Sequence, residues 1–375
     1  MKILYINHVR LPTEKAHGIQ IMEMCQALAN LGVELELIVP QRLNNIKEDP
    51  FSYYDISPNF KITYLPCIDL IPLDYMFGRL SYLITTFSFI LSAKIYSWFI
   101  KYDLVYSRTL FVSFFFKKTT LEIHSLPKKI TLVHKYFWGK AHRLVVLTNI
   151  MKKELVAAGI PEDKIVVAAD GVDIEKFNIN VSKKEAREKL NLPQSKFLIG
   201  YVGSLKTMEM EKGVDTAIRA LTHLPNNFSL IIVGGNDRHI QHYQNLSNKL
   251  NAENILFTGQ VKRQLIPCYL KAFDVVIAPF PNNEHYNNYM SPLKLFEYMV
   301  SRRPIVASNL PSIKEVLNEK NSLLVEPTIQ GLVSGINKIS QDKDWADKIS
   351  AQAYIDVQNY SWQKRAKKII DYIGK

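Results

Sequence analysis

A lysine and a glutamate interrupt an otherwise apolar helical pattern in "YMSPLKLFEYMVSRRPIVAS", residues 289–308. Lys294 falls close to the expected helix start, and Glu297 lies one turn further on among leucine, phenylalanine, tyrosine and methionine. Ser291 is a good N-cap, and Pro292 suits the first helical position because its missing N–H costs nothing there. We therefore predict that the helix starts at 291–292, which makes Lys294 its third residue.

The two charges favour a nucleotide at this helix start. Backbone N–H groups and the helix dipole attract an anion there, and a bound phosphate would offset the unfavourable position of Lys294. Glu297 would then accept hydrogen bonds from ribose hydroxyls. The alternative is structural: Lys294 extends to water or pairs with Glu297 one turn on.

A second group of small and basic residues opens the second half of the chain, in "IGYVGSLKTMEMEKGVDTAIRAL". Gly203 ends a strand and lets backbone approach a ligand, while Lys212 precedes a helix and would place a point charge on a diphosphate. Such a loop is weak evidence alone. The sequence has neither G-x-G-x-x-G nor a Walker A motif, which argues against a dehydrogenase or a P-loop NTPase.

Three residues of the first half follow predicted strands. Gly18 falls between the first strand and a helix, His124 ends "TTLEIHS", and Arg108 ends "DLVYSR". Ligands of open parallel sheets bind at the carboxyl ends of the strands, so a functional role is open for each. The alternatives are a structural histidine and, for Arg108, a salt bridge on the rim.

Short apolar runs alternate with helical patterns throughout, which predicts an α/β fold with parallel strands buried on both faces. The first set of strands is predicted at 2–8, 34–40, 61–66, 103–108, 119–125, 143–148 and 164–169, with helices near 18–31, 75–100 and 149–158. The second set is predicted at 197–203, 228–235, 254–259, 274–280, 304–308 and 322–327.

These two sets predict two doubly wound, Rossmann-like domains that face a cleft. We expect an N-terminal domain over 1–171, completed by a C-terminal helix within 358–375, and a second domain over 172–357. Ligands are expected where the strand ends of the two domains meet.

The formal net charge of +12 is unusual for a chain with an ordinary share of apolar residues. It fits an anionic partner: nucleic acid, a nucleotide or sugar phosphate, or an acidic membrane surface. Three widely spaced cysteines give neither metal-ligand nor disulfide spacing, and "MKILYINH" enters a strand without a signal-peptide pattern. These features predict a cytoplasmic protein.

The apolar segment "LSYLITTFSFILSAKIYSWFI", residues 80–100, raises the question of a membrane span. Lys94 and several serines and threonines interrupt it, whereas a spanning helix needs about 20 predominantly apolar residues. We expect a core helix whose outer face could rest on a bilayer, which would attach the protein peripherally to the inner face of a membrane.

Together these motifs resemble the retaining family-four glycosyltransferases of the GT-B fold over nearly the whole chain. The resemblance rests on "HGIQIMEMCQALANLGVELELIVP", "LEIHS", "YVGSL…EKG", "SPLKLFEYMVSRRPIVAS" and the closing "YSWQKRAKKIIDYI". In this fold, the closing helix crosses back onto the first domain.

The resemblance implies transfer of a sugar from a UDP- or GDP-linked donor to a glycan, lipid-linked or polysaccharide acceptor. Anomeric configuration would be retained, without a metal or another cofactor, and nucleic acid would not be a partner. The implied catalytic residues are His124 at the transferred sugar, Lys212 at the diphosphate and Glu297 at the ribose. The implied donor-binding residues are Gly18, Gly203, Ser204, Lys206, Lys212, Ser291, Pro292, Leu293, Lys294 and Glu297.

The sequence departs from the family pattern at two places. The family has two glutamates separated by seven residues, and Tyr289 stands at the first position, with Glu284 nearby. Ser204 replaces an arginine that often follows the loop glycine, where Lys206 could serve instead. Arg108, Glu284 and Tyr289 are candidates for the acceptor side.

Other functions remain open at this point. Tyr289 raises the possibility of a non-catalytic protein that binds nucleotide sugars or glycans. A nucleotide-sugar epimerase of the same fold would need acid–base pairs that the sequence does not reveal. Nucleic-acid binding rests on charge alone, without an aromatic–basic module to support it.

Overall fold

The computed structural model describes residues 1–207 and 209–374, and the chain divides into two compact units. Unit 1 comprises Met1–Asp170 and Trp362–Lys375, and unit 2 comprises Gly171–Ser361. Met208, in the predicted diphosphate loop, and Lys375, in the predicted C-terminal segment, lie outside the described residues.

Unit 1 is built on a seven-stranded parallel sheet in the order β3-β2-β1-β4-β5-β6-β7. Its central strands are continuous apolar runs because helices cover both faces of the sheet. The strands are β1 (Lys2–Ile6), β2 (Glu34–Pro40), β3 (Lys61–Leu65), β4 (Leu104–Ser107), β5 (Thr119–Ile123), β6 (Arg143–Val146) and β7 (Ile165–Val167).

Seven helices of unit 1 connect its strands, and the last helix of the chain completes it. They are α1 (Ala16–Asn30), α2 (Pro50–Tyr54), α3 (Asp74–Phe77), α4 (Arg79–Tyr96), α5 (Val112–Phe115), α6 (Leu132–Lys140), α7 (Asn149–Ala157) and α18 (Trp362–Ile373). Helix α18 packs against α1 and buries Trp362, Arg365, Ala366, Ile369 and Ile373. The predicted return of the closing helix to the first domain is confirmed.

Unit 2 has a six-stranded parallel sheet in the order β12-β11-β8-β13-β14-β15, and an antiparallel pair, β9–β10, in the loop after β8. Its strands are β8 (Phe197–Val202), β9 (Lys206–Thr207), β10 (Met210–Glu211), β11 (Phe228–Val233), β12 (Ile255–Gly259), β13 (Val275–Ala278), β14 (Ile305–Ser308) and β15 (Leu323–Val325).

Ten helices surround the sheet of unit 2. They are α8 (Ile174–Phe177), α9 (Lys183–Lys189), α10 (Val214–Leu221), α11 (Asp237–Lys249), α12 (Ile266–Ala272), α13 (Glu284–Asn288), α14 (Leu293–Ser301), α15 (Pro311–Lys314), α16 (Ile329–Gln341) and α17 (Lys343–Val357). Two Rossmann-like parallel sheets are the two-domain architecture expected from the sequence, and this prediction is confirmed.

All thirteen strands predicted from the sequence are present, each slightly shorter than or equal to its predicted run. The single helix predicted over 75–100 was wrong. Gly78 separates α3 from α4 with a positive φ of 50°, a conformation that glycine adopts readily, and α4 ends at Tyr96. Over the described part of the chain, every helix is too short or too polar to cross a bilayer.

Candidate functional site

The predicted start of α14 was wrong by one residue. Pro292 has an extended ψ of 125° and is the N-cap, so the helix begins at Leu293 and Lys294 is its second residue. Ser291 therefore precedes the cap position, and the N-cap itself, Pro292, makes no side-chain hydrogen bond. The start of α14 thus lacks the capping side chain that serine, threonine, aspartate or asparagine supplies at the N-cap of most helices.

The ammonium group of Lys294 is buried without a hydrogen-bond acceptor among the described residues. The side chain packs against aromatic rings, with Nζ 3.7 Å from the ring centre of Tyr201 and 5.2 Å from that of Phe280. Burial, and then the charge of Lys212, hold the pKa of Lys294 well below its usual range. The expected alternative, a Lys294–Glu297 ion pair, does not form.

Gly203 allows this lysine to reach the end of β8. A Cβ at Gly203 would lie 3.3 Å from Cε and 3.4 Å from Nζ of Lys294, and the φ of 129° disfavours other residues. The end of the Lys294 side chain therefore lies against the backbone of the loop that was predicted to approach a ligand.

Lys212 lies in the same loop and carries the second cation of the site. Its Nζ donates to Ser204 Oγ at 2.8 Å, and burial lowers the pKa of Lys212 to about 8. Lys206 instead forms an ion pair with Glu211, at 3.2 Å across the β9–β10 pair. Of the two lysines, Lys212 is thus the one without a carboxylate partner among the described residues.

Glu297 lies one turn beyond Lys294, and its carboxylate pairs with a residue that sequence reasoning missed. Arg263 Nη1 lies 3.3 Å from Glu297 Oε1, and the Arg263 guanidinium also lies 5.5 Å from the ring centre of Phe177. The pair fixes the orientation of the Glu297 carboxylate while one of its oxygens keeps lone pairs for a further donor.

The segment before α14 carries Glu284 and Tyr289, the two residues considered for the first carboxylate position of the family pattern. Glu284 is the exposed first residue of α13, whereas Tyr289 is the buried C-cap of the same helix. His285, which was not predicted, has a pKa lowered by burial and then by the charge of Lys212. The positive charge of Lys212 therefore influences His285 on α13.

In unit 1, Gly18 lies inside the first turn of α1 rather than in a loop. A Cβ at this position would lie 2.1 Å from the hydroxyl oxygen of Tyr54. That hydroxyl donates to Thr13 O and accepts from Thr13 N, both at 2.7 Å. The close approach that needs a glycine here is thus the packing of α1 on Tyr54.

His124 follows β5 and is held by a buried ion pair. Its Nε2 bonds to Glu122, which also accepts from Tyr106 and from Arg365 Nη2 at 3.0 Å. Although burial alone would raise the pKa of Glu122, Arg365 and His124 hold it well below its usual range. Burial and then Arg108 lower the pKa of His124 to about 4.

A neutral His124 beside a charged Glu122 has a defined tautomer. The carboxylate oxygen accepts, so Nε2 carries the proton and Nδ1 is left as an acceptor. The side chain is 18% exposed, which leaves it accessible to a ligand. His124 can therefore accept a hydrogen bond at neutral pH but cannot act there as a cation.

Arg108 joins a second polar chain beside this one. Its Nη1 donates to Gln20 Oε1 at 3.2 Å, and Gln20 Nε2 donates to Asp170, whose pKa burial raises to about 7. The expected alternative of a rim salt bridge is replaced by this amide bridge. Within residues 1–207 and 209–374, no cluster of three or more His, Cys, Asp or Glu side chains is arranged to hold a metal ion.

Two family models match the two halves of the chain. The Glycosyltransferase Family 4 model matches residues 18–176, and the Glycosyl transferases group 1 model matches residues 196–342. The chain belongs to the group 1, family 4 glycosyltransferases. The matched ranges contain β2–β7 of the first sheet and all six strands of the second sheet, whereas β1 precedes them.

Individual relatives are distant in sequence, and a solved structure of even lower identity shares the fold. An uncharacterized glycosyltransferase of Methanocaldococcus jannaschii is 25% identical over 61% of this chain and 59% of its own length. A D-inositol 3-phosphate glycosyltransferase of Xylanimonas cellulosilytica is 26% identical over 61% of this chain and 55% of its length. The Anabaena protein HepE, solved with UDP and glucose, is 17% identical with full coverage of both chains and a TM-score of 0.76.

The pairing of Arg365 with Glu122 was not predicted, although the sequence contains a signal for it. Each is a charge next to apolar residues: Arg365 lies on the face of α18 that Trp362 and Ile369 also occupy, and Glu122 lies between Leu121 and Ile123 in a predicted strand. Such charges need partners, and two of opposite sign predict a pair. Arg263 carried no comparable signal, because Lys262-Arg263 reads as an ordinary exposed loop.

We predict that Arg365→Met lowers the free energy of unfolding by about 3–5 kcal/mol, because it leaves the Glu122 carboxylate buried without its guanidinium. The double variant Glu122→Gln with Arg365→Met should recover most of this loss. Chemical denaturation measures both, with the exposed Lys368→Met on the same helix as the control. A loss below about 1 kcal/mol for Arg365→Met would contradict the importance of the pair.

We also predict that Lys294→Met raises the free energy of unfolding of the ligand-free protein by about 1 kcal/mol. The variant removes a buried ammonium group that has no acceptor among the described residues. It keeps the approximate length of the side chain but loses the cation–π contact with the Tyr201 ring. Denaturation in buffer without phosphate or nucleotide measures this, with Lys212→Met as the comparison. Destabilisation by Lys294→Met would show that the ammonium is a structural group.

Proposed function

We propose that this protein transfers a sugar from a nucleotide-diphosphate donor, UDP- or GDP-linked, to a glycan, lipid-linked or polysaccharide acceptor with retention of configuration. The observation that carries the proposal is the buried ammonium of Lys294, for which the described residues supply no acceptor, beside Gly203 and the charge of Lys212. An anion at this place would compensate both cations. HepE, which shares the fold, was solved with UDP and glucose, which supports the same choice of ligand.

The residues of unit 2 divide the donor between them. The diphosphate takes Lys212, Lys294 and backbone N–H groups at the start of α14, while Ser204 orients Lys212. As the bond between phosphate and sugar breaks, negative charge develops on the leaving oxygen, and these preorganised cations stabilise it. In the proposal, the lysines supply the stabilising positive charge, and no metal ion is included.

Glu297 and His124 recognise the sugars in this proposal. Glu297, oriented by Arg263, accepts from the ribose hydroxyls, and neutral His124 accepts from a hydroxyl of the transferred sugar through Nδ1. The family pattern has a carboxylate at the position of Tyr289, which is a buried tyrosine here. Exposed Glu284 is the candidate replacement. Arg108 completes the acceptor side of the proposal.

Nucleotide release tests the proposal directly. UDP- and GDP-sugars incubated with glycan and lipid-linked acceptors should release nucleotide, and Lys212→Ala should lower kcat/KM by at least about tenfold, the equivalent of 1.4 kcal/mol. Lys206→Ala is the matched control and should cost much less, because Glu211 already engages that lysine. Donor binding without turnover on any acceptor would instead favour a non-catalytic nucleotide-sugar binding protein.

We further predict that nucleoside diphosphate binding takes up protons near pH 8. The pKa of Lys212 is about 8 in the free protein, and a bound diphosphate raises the pKa of both Lys212 and Lys294. Lys212 alone should take up about half a proton at that pH, and affinity should fall as pH rises further. Calorimetry of UDP or GDP in Tris and in HEPES measures the uptake, and equal heats after correction for dilution would contradict it.

A further inference from the structure

Helix α4 exposes a stripe of apolar side chains where a water-facing helix would expose polar ones. The stripe contains Leu80, Phe87, Leu91 and Ile95, at intervals of seven and four residues, and these are 40–56% exposed. The buried face is mixed: Phe89 and Ile90 pack in the core, while serine and threonine hydroxyl groups bond to backbone carbonyls, as Thr85 does to Ser81 O. A surface helix normally turns its apolar side to the core.

The exposed apolar surface continues beyond α4. Trp98 and Phe99, just after the helix, are 70% and 79% exposed. The Phe87 ring lies 5.0 Å from Phe111, whose ring lies 5.2 Å from Phe137 on α6, between centroids. We call this surface the apolar face; its exposed centre comprises Leu80, Phe87, Leu91, Trp98, Phe99 and Phe114.

The segment of the chain that forms the apolar face is rich in positive charge. Residues 75–153 contain thirteen lysines and arginines but only two acidic residues, Asp103 and Glu122, so this segment has a formal charge of +11 and the rest of the chain +1. Asp103 accepts from the backbone N–H of Lys2, and Glu122 is buried against Arg365. Both acidic groups of the segment are therefore engaged elsewhere, while Glu162, outside it, pairs with Lys152 at 2.9 Å.

Two of these cations, Lys94 and Lys140, lie near aromatic rings of the same segment. Lys140 Nζ lies 5.8 Å from the ring centre of Phe114 and 5.4 Å from that of Tyr136, and Lys94 Nζ lies 4.9 Å from that of Phe116. Aromatic rings with interleaved lysines are typical of surfaces that insert between lipid headgroups. Each lysine there also attracts anionic lipid.

We propose that the apolar face docks onto an anionic lipid bilayer, with α4 lying in the plane of the headgroups. A bilayer offers both the hydrocarbon that Leu91 and Trp98 need and the negative charge that the lysines need. A second copy of the chain would bring two positively charged surfaces together, which is unfavourable. Docking would bring the enzyme to a lipid-linked acceptor of the proposed function, but its test measures membrane binding alone.

Flotation tests the docking with the full chain and two vesicle compositions. Vesicles of phosphatidylglycerol and phosphatidylcholine should bind the protein at 50 mM salt, and vesicles of phosphatidylcholine alone should bind it at least about tenfold more weakly. Binding to the anionic vesicles should weaken as salt rises.

Two pairs of variants separate the apolar and the charge contributions. Leu91→Glu with Trp98→Glu should weaken binding by more than about tenfold, whereas Ile355→Glu, at a 61% exposed position of α17, should not. Lys94→Gln with Lys140→Gln should weaken it by about fivefold for each lysine, whereas Lys343→Gln with Lys348→Gln should have little effect. Unchanged melting temperatures confirm that the variants fold.

Several results would overturn the proposal. One is a wild-type protein that does not bind anionic vesicles. Another is a Leu91→Glu, Trp98→Glu variant that binds them as strongly as the wild type. If light scattering finds a dimer that the Trp98→Glu substitution dissociates into monomers, the apolar face binds a second copy of the chain instead. Because nucleotide release to a soluble acceptor is measured separately, loss of vesicle binding with intact release would reject the docking while leaving the transferase proposal standing.

Discussion

A charge buried away from water costs several kcal/mol unless a partner compensates it, and both units of this protein bury charges. In unit 1, the compensation comes from within the chain: Arg365, on the last helix, pairs with Glu122 in the central sheet. In unit 2, Lys294 has aromatic rings around it and no acceptor among the described residues. The contrast indicates which charge serves the fold and which is kept for a ligand.

The Glu122–Arg365 pair also determines what His124 can do. Because Arg365 keeps Glu122 ionised, Glu122 orients the His124 ring and leaves Nδ1 as the acceptor. The C-terminal helix therefore affects a candidate active-site group although it has no direct contact with a ligand in the proposal. Removing the guanidinium would disturb both the packing of α18 on α1 and the orientation of this imidazole.

The sequence predicted the sheets well because strands buried on both faces are continuous apolar runs, and every such run became a strand. It predicted the start of α14 less well, since proline suits either the N-cap or the first helical position and only the backbone ψ decides between them. It could not predict that Glu297 pairs with Arg263 rather than with Lys294. Side-chain direction decides that contact, and the partner comes from a loop 34 residues away.

The interrupted apolar segment at 80–100 shows what the positions of polar residues add to their number. Counted together, its serines and threonines argue against a membrane span, and the structure agrees. Placed on a helix, Ser81, Thr85 and Thr86 fall on one side, and that side is the buried one. The interruptions therefore also specify which face remains exposed and apolar. Residues 75–153, which contain this helix, also carry +11 of the formal net charge of +12, so the same segment accounts for most of the net charge of the chain.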